Sequence, residues 1–363
     1  MIDGPDDITA DWLTTALRAT TPDAHVRSVT VEPIGTGQTG ASFRLRLDAD
    51  PGAGAELPAT LVAKTAAGER EQRERVGPGY RNEVGFYTEF RDRVAIRTPR
   101  CWFAEISEDN CSFVLLLDDL APARPGVQVD GCSVDQAADA VRNLAGLHAP
   151  VWNDPALPGR GDWLSTMTGA RAEFLGSVTQ SAAEVFVERY AEELGDDAVT
   201  LRRSAALTAQ WGVIDTGVLT LVHGDYRLDN LMFPEGGAHD GAGANDGVVA
   251  VDWQTLVVAP PGRDLGYFLA TSLHVDDRRA HQDTLVAEYV DELHRLGVTD
   301  FTVDRCTVEY RLGVLQAPMI TMIGAAYATA ERSTDADAMF LAMATRAAAA
   351  LRDLDSFALV EAS

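Results

Sequence analysis

Apolar positions in the first part of the chain recur mainly with the two-residue period of β-strands. The segment ITADWLTTALRA (8–19) instead has helical spacing and predicts a short N-terminal helix. A strand that ends near Ile34 is followed by ASFRLRL (41–47), where apolar residues alternate with arginines, and by the strand LVAK (61–64). The apolar run in CSFVLLLDDL (111–120) predicts a further strand. This region is therefore predicted to be rich in β-structure.

Helical spacing dominates the rest of the chain. The connector APARPGV (121–127) is rich in Pro and Gly, and we place a boundary between two lobes there. The next segment, Val134–His148, predicts an amphipathic helix that buries His148 on its apolar stripe. Further helices are expected to about Ala209 and again up to the C-terminus. Two short strands are expected between these helical regions, around LVHGDYRLDNLMF (221–233).

Composition restricts the class of partner. The chain has 363 residues, of which 46% are hydrophobic, but no run approaches the eighteen apolar residues expected of a membrane helix. The acidic N-terminal segment argues against a secretory signal, and the four cysteines form no C-x-x-C pair, so we predict reduced thiols in a cytoplasmic protein. A net charge of −25 argues against nucleic acid as the main partner. It leaves open a merely solvated surface or an acidic pocket for a cationic substrate.

Candidate chemistry concentrates in HGDYRLDN (223–230) and VDWQ (251–254). Asp225 and Asn230 have the D-x-x-x-x-N spacing that places a base and a metal ligand on one phosphoryl-transfer loop. Asp252, at the end of the strand-like VVAVDW, adds a second carboxylate. We predict that Asp225 orients or accepts the proton of an acceptor hydroxyl, and that Asn230 and Asp252 bind Mg²⁺. His223 is predicted to stabilise the loop.

A single lysine marks a second candidate position. Of the 30 basic residues only Lys64 is a lysine, and it lies at the end of the strand LVAK. Glu83 lies on an otherwise apolar face of the predicted helix YRNEVGFYTEF (80–90), where a carboxylate is costly without a cation. We predict that Glu83 holds Lys64 against the α- and β-phosphates of a nucleotide, with Glu89 as the next candidate partner.

The glycines of GTGQTG (35–40) leave two interpretations open. Gly35, Gly37 and Gly40 match G-x-G-x-x-G, but a strand pattern follows them, whereas a dinucleotide-binding fold requires a helix there. The segment is either a plain tight turn or a hairpin loop that covers nucleotide phosphates, and the second is favoured. The G-K-[ST] of a Walker A loop and the G-x-S-x-G of a serine hydrolase are both absent from the sequence, and its scattered histidines disfavour a metal-hydrolase site.

Together these segments resemble the aminoglycoside phosphotransferase superfamily, in particular its choline-kinase-like and ecdysteroid-kinase-like branch. The resemblance spans nearly the whole chain. HGDYRLDN with VDWQ is its specific part, whereas the glycine loop is not specific. The remaining matching segments are IGTGQTG, LVAK, NEVGFY, VLLLDDL, LAGLHAPVW and PPGRDLGYFL.

The resemblance implies an α+β, two-lobed protein-kinase-like fold, with a small β-rich lobe (1–118) and a larger helical lobe (119–363). It implies ATP and Mg²⁺ as cofactors and a small-molecule hydroxyl as acceptor, such as an aminoglycoside antibiotic or a choline-, sugar- or sterol-like metabolite. Backbone groups near Leu117 and Asp118 would hold adenine at the hinge, and Asp264 would brace the catalytic loop. A pseudokinase-like nucleotide-binding module and a protein kinase are the alternatives.

Overall fold

The computed structural model describes the chain at residues 2–35, 40–50, 57–158, 163–235, 247–327 and 334–363. The chain divides into two compact units. The first, unit 1, comprises Met1–Asp92, Thr98–Ala121 and Asp252–Thr255. The second, unit 2, comprises Arg93–Arg97, Pro122–Val251 and Leu256–Ser363. The lobe boundary between residues 118 and 119 stays a prediction.

Unit 1 is built on an antiparallel five-stranded sheet of order β1-β2-β3-β5-β4. Pairing of β2 with β3 sets Phe43 opposite Ala63 and Leu45 opposite Leu61. Because alternate strand residues share a face, these four side chains lie together in a buried core with the N-terminal helix α1. The elements are α1 (Ala10–Leu17), β1 (Val26–Ile34), β2 (Gly40–Ala49), β3 (Thr60–Ala66), β4 (Cys101–Ile106) and β5 (Phe113–Asp118).

The second helix of unit 1 is longer than the sequence pattern indicated. It was predicted from residue 80, but α2 runs over Arg70–Gly85 and continues into a π-helical turn, Phe86–Phe90. The segment Gly77-Pro78-Gly79 lies inside α2, although both residue types disfavour helix interiors. A Cβ at Gly77 would lie 2.9 Å from the carbonyl oxygen of Asn110, so close packing explains that glycine. Strand β4 was not predicted at all.

Unit 2 is mainly helical. As predicted, a helix covers Val134–His148, and His148 is fully buried in it. Its helices are α3 (Val134–His148), α4 (Gly169–Arg189), α5 (Ala191–Leu194), α6 (Asp197–Gly212), α7 (Gly262–Ser272), α8 (Val275–Arg295), α9 (Val303–Gly313), α10 (Gln316–Tyr327), α11 (Thr334–Asp353) and α12 (Ser356–Glu361). Helix α3 packs on α8, and α4 packs on α6 and α10.

Short strands carry the candidate catalytic segment of unit 2. Antiparallel pairs join β7 (Thr220–Val222) to β10 (Val257–Ala259), and join β8 (Leu231–Phe233) to both β6 (Arg124–Pro125) and β9 (Val249–Ala250). The loop of HGDYRLDN therefore leaves one small sheet and enters another, which fixes both of its ends. Among the described helices, none has the length and apolar character needed to cross a membrane.

Helix α7 approaches its neighbour α9 at backbone distance. A Cβ at Gly266 would lie 2.4 Å from the backbone of Gly313, and a Cβ at Gly262 would lie 2.1 Å from the carbonyl oxygen of Glu309. Any side chain at these two positions would force the helices apart. The glycines of PPGRDLGYFL therefore seat α7, which carries Asp264 and Tyr267, firmly within unit 2.

Candidate active site

The predicted lysine–glutamate pair is present in unit 1. The ammonium group of Lys64 lies 2.8 Å from Glu83 Oε1 and 3.3 Å from Asp252 Oδ1. The side chains of Lys64 and Glu83 are 13% and 1% exposed. Burial lowers the pKa of Lys64, but the carboxylates of Asp252 and Glu83 more than offset this effect, so its pKa is raised. Lys64 is therefore a fixed cation.

Gln254 is a further partner of Glu83. Its side-chain amide donates to Glu83 Oε2 at 3.2 Å, while its backbone carbonyl oxygen accepts from the side-chain amide of Asn82 at 2.9 Å. Both carboxylate oxygens of Glu83 are thereby engaged, one by Lys64 and one by Gln254. A buried carboxylate needs such compensation. The glutamine of VDWQ thus supports the pair that the sequence predicted.

The backbone conformation of Asp252 and the packing of the next residue hold this side chain in place. Its φ is +66°, a left-handed conformation that is uncommon for residues other than glycine. The next residue, Trp253, is fully buried and stacks on Phe86, with ring centroids 3.5 Å apart and an interplanar angle of 9°. Trp253 also donates to Thr98 Oγ1 at 3.3 Å. The Asp252 side chain is 40% exposed, so a partly solvated carboxylate stands on a rigid support.

Unit 2 holds the candidate base Asp225. Its Oδ1 accepts a hydrogen bond of 2.7 Å from the hydroxyl of Tyr267, and its Oδ2 accepts one of 3.0 Å from the side-chain amide of Asn230. The same amide nitrogen of Asn230 also lies 2.9 Å from the backbone carbonyl oxygen of Asp225. The predicted base and metal ligand therefore lie in direct contact, and Tyr267 is a third member of the cluster.

Arg227 places a cation beside the base. Its Nε lies 3.3 Å from Asp225 Oδ1, and its Nη1 lies 3.0 Å from Asp229 Oδ2. The same Nη1 contacts the sulfur of Met339 on α11 at 3.2 Å. Burial lowers the pKa of Arg227, but Asp225 and Asp229 outweigh it, and the pKa is raised. Arg227 therefore remains charged and offsets part of the negative charge of the loop.

Asp264 braces the loop from α7. Its fully buried carboxylate accepts the backbone N–H of His223 at 2.6 Å and that of Gly224 at 2.9 Å. The ring of His223 also fixes the loop: Nδ1 accepts from the backbone N–H of Asp225 at 3.3 Å, and Nε2 donates to the carbonyl oxygen of Val251 at 3.1 Å. These contacts agree with a structural role for His223 and a bracing role for Asp264.

Asn230 and Asp252 each offer an oxygen of a kind that suits Mg²⁺. Among the contacts of the described residues, the Asn230 side chain uses its amide nitrogen, so its amide oxygen is a suitable ligand for a cation. Asp252 offers a partly exposed carboxylate, and hard cations prefer oxygen ligands of these two kinds. Within the described residues no cluster of three or more His, Cys, Asp or Glu side chains could hold a metal. Mg²⁺ usually keeps several waters and binds through one or two protein oxygens plus phosphates, so each of these groups is a suitable ligand by itself.

The remaining predicted nucleotide contacts are the glycine loop and the hinge. Gly35 has a φ of +72°, and a Cβ at Gly40 would lie 3.0 Å from the carbonyl oxygen of Thr65. Gly37 lies outside the described residues. At the predicted hinge, Leu117 pairs with Val62 within the sheet, and the N–H of Asp118 donates to the carbonyl oxygen of Arg100. A role for these positions in nucleotide binding stays a prediction.

Two members of these clusters received no role from the sequence. Gln254 and Tyr267 lie in the motifs VDWQ and GRDLGYF, but only the fold brings them to Glu83 and Asp225. The alternative partner for Lys64 is engaged elsewhere, because Glu89 lies 3.2 Å from Arg81. The period of α7 could have indicated Tyr267, since it lies three residues after Asp264 and therefore on the same side of the helix.

Comparison with known proteins finds a similar family and similar solved structures. Residues 159–298 match the sequence profile of the ecdysteroid kinase-like family. A spectinomycin phosphotransferase, solved with ADP and spectinomycin, covers 96% of this chain and 99% of its own, with 10% identity and a TM-score of 0.52. A wild-type aminoglycoside 2′-phosphotransferase, solved with GDP, covers 94% and 98%, with 12% identity and a TM-score of 0.50. A search of curated protein sequences finds no match.

These similarities establish the fold. The chain has the α+β, protein-kinase-like fold of the aminoglycoside phosphotransferases. The family match and the structural neighbours confirm the predicted resemblance to that superfamily and to its ecdysteroid-kinase-like branch.

Proposed function

We propose that the protein is an ATP- and Mg²⁺-dependent O-phosphotransferase that transfers the γ-phosphate of ATP to a hydroxyl group of a small molecule. The observation that carries the proposal is the contact between Asp225 and Asn230, a carboxylate and an amide held 3.0 Å apart on one short loop. Phosphoryl transfer needs such an arrangement because a base must align the attacking hydroxyl while a neutral oxygen helps to hold the metal. The relatives named above are phosphotransferases with small-molecule acceptors, which supports the same reaction class.

Each residue has a defined task in this reaction. Lys64, kept charged by two carboxylates, binds the α- and β-phosphates, and Glu83 holds its ammonium group in place. Asp252 and Asn230 would hold Mg²⁺, which would supply charge neutralisation at the transferring phosphate. Asp225 accepts a hydrogen bond from the acceptor hydroxyl and orients its oxygen toward the γ-phosphorus. Because the transition state is largely dissociative, alignment and charge neutralisation matter more than the strength of the base.

The class of acceptor follows in part from charge. A net charge of −25 supports a cationic hydroxyl compound, such as an aminoglycoside or choline-like metabolite, over an anionic one. Sugar- and sterol-like alcohols remain in the proposed set. For a cationic acceptor, added salt is expected to raise KM, because mobile ions screen the attraction.

The four cysteines are free thiols, which supports a location in the cytoplasm.

Two alternative functions, a pseudokinase and a protein kinase, differ from the proposed function in what an assay would show. A pseudokinase would bind nucleotide without transferring phosphate, and the presence of Lys64, Asp225, Asn230 and Asp252 together argues against this. A protein kinase would phosphorylate generic protein substrates. The test is a panel of hydroxylated antibiotics and metabolites, screened for ADP release with MgATP, with casein and myelin basic protein included. ADP release with a small alcohol supports the proposal, whereas release only with the proteins would replace it.

A further inference from the structure

The hydroxyl of Tyr267 donates a 2.7 Å hydrogen bond directly to the carboxylate of the candidate base. Tyr267 is a fully buried residue of α7, which is seated against α9 through two glycines. One turn earlier on α7, Asp264 holds the backbone of the same loop. Helix α7 therefore contacts the catalytic loop at two levels, one at its backbone and one at its reactive side chain.

Tyr267 is a permanent donor. Burial raises the pKa of its phenol well above the ordinary value, and the nearby Asp225 carboxylate raises it further. The phenol consequently keeps its proton throughout the pH range in which enzymes of this kind work. It cannot exchange roles with Asp225 as a base.

The contacts of Asp225 define its orientation. Tyr267 holds Oδ1 and Asn230 holds Oδ2, so rotation of the carboxylate would break both hydrogen bonds. Asn230 lies five residues away on the same loop and moves with it, whereas Tyr267 belongs to a different element. Of these two donors, only Tyr267 connects the Asp225 carboxylate to a helix of the core. An error of about 1 Å in the placement of a catalytic group can reduce a rate on the order of 100-fold.

We propose that Tyr267 is a positioning residue that fixes the Asp225 carboxylate in the orientation required for phosphoryl transfer. The inference rests on the proposed function, because it assigns Tyr267 a role only through Asp225. Tyr267 would neither touch the nucleotide nor move a proton. Its removal should therefore reduce kcat and leave nucleotide binding unchanged.

The test compares wild type with Tyr267→Phe, which removes one hydroxyl and keeps the ring. MgATP is the donor, and the acceptors are water, measured as slow ADP release, and the best alcohol of the panel above. We expect kcat to fall on the order of 10-fold with both acceptors, while the Kd for MgATP stays within about twofold of wild type. Tyr310→Phe is the matched control, since it removes another buried tyrosine hydroxyl, bonded to Gln282 at 3.0 Å. It should leave kcat unchanged.

A double-mutant cycle separates positioning from a general structural role. If Tyr267 acts through Asp225, adding Tyr267→Phe to Asp225→Asn should reduce the residual rate by less than about twofold. An equal reduction in both backgrounds would overturn the inference, and so would an unchanged kcat in the single variant. If the wild-type protein binds MgATP but no acceptor of the panel causes ADP release, the proposed function is overturned, and the inference with it. If only the inference about Tyr267 is overturned, the proposed function is not contradicted.

Discussion

The ammonium group of Lys64 lies 2.8 Å from the carboxylate of Glu83, and both side chains are withdrawn from solvent. Each charge compensates the burial of the other, so the pair behaves as a unit. The pair joins β3 to α2 and holds the single lysine of the sequence as a fixed cation. It also makes these two positions sensitive to substitution for reasons of stability as well as activity.

The first prediction concerns Glu83. In Glu83→Gln, Lys64 keeps Asp252 as its one acidic partner among the contacts described. We therefore expect the free energy of unfolding to fall by about 1–3 kcal/mol. We also expect at least a 10-fold loss of turnover. Urea denaturation and ADP release measure the two effects. Glu89→Gln is the control, because Glu89 is partly exposed and lies 3.2 Å from Arg81. A variant of Glu83 with wild-type turnover would contradict the role of the pair.

The second prediction uses the single lysine of the sequence. An acyl-phosphate derivative of ATP should acylate Lys64, because it delivers a reactive carbonyl to a lysine beside the nucleotide phosphates. Peptide mass spectrometry can assign the product without ambiguity, since Lys64 is the one lysine in 363 residues. Excess MgATP should suppress the modification, and the N-terminal amine serves as an internal control. Labelling of Lys64 that MgATP leaves unaffected would argue against phosphate binding there.

The third prediction concerns Asp264. In Asp264→Ala the backbone N–H groups of His223 and Gly224 lose their buried acceptor. Leaving two buried donors unpaired should cost about 2–5 kcal/mol of unfolding free energy, and turnover should fall because the loop loses its brace. Asp300→Ala, at an exposed position, should change stability by less than about 0.5 kcal/mol. Equal melting temperatures for Asp264→Ala and wild type would rule out the brace.

The fourth prediction concerns pH. Burial raises the pKa of Glu309 to about 7 from an ordinary 4.5, and the positive charges of Arg305 and Arg263 offset only part of this effect. Between these two values the folded state holds a proton that the unfolded state has released. Glu309 therefore makes the protein less stable as pH rises from about 4.5 to 7.

Substitution by glutamine should remove this dependence. The stability of Glu309→Gln relative to wild type should increase by roughly 2–3 kcal/mol over that interval and then stay constant above it. Denaturation at a series of pH values measures the difference. A constant difference from pH 4.5 to 8 would show that Glu309 has the same pKa in both states.

Local sequence patterns were sufficient to predict that Asp225 and Asn230 lie on one loop, because the two residues occur at a short, fixed spacing. Asp225 and Asn230 are five residues apart, and α3 matched its predicted range from Val134 to His148. The start of α2 was missed because Gly77-Pro78-Gly79 reads locally as a break. Only close packing against Asn110, distant in sequence, accounts for a glycine there.

Contacts between distant segments explain the other omissions. Gln254 reaches Glu83 across 171 positions, and Tyr267 reaches Asp225 across 42. Helical spacing places Tyr267 on the same side of α7 as Asp264, but neither segment alone identifies the distant partner.

The most direct test of the account is transfer of labelled γ-phosphate from ATP to the best alcohol of the panel, with wild type and Asp225→Asn measured side by side. For wild type we expect a phosphorylated alcohol and ADP in equal amounts. For Asp225→Asn we expect a rate reduced on the order of 100-fold or more, with MgATP binding retained. Undiminished transfer by Asp225→Asn, or nucleotide binding by wild type without transfer to any hydroxyl, would contradict the account.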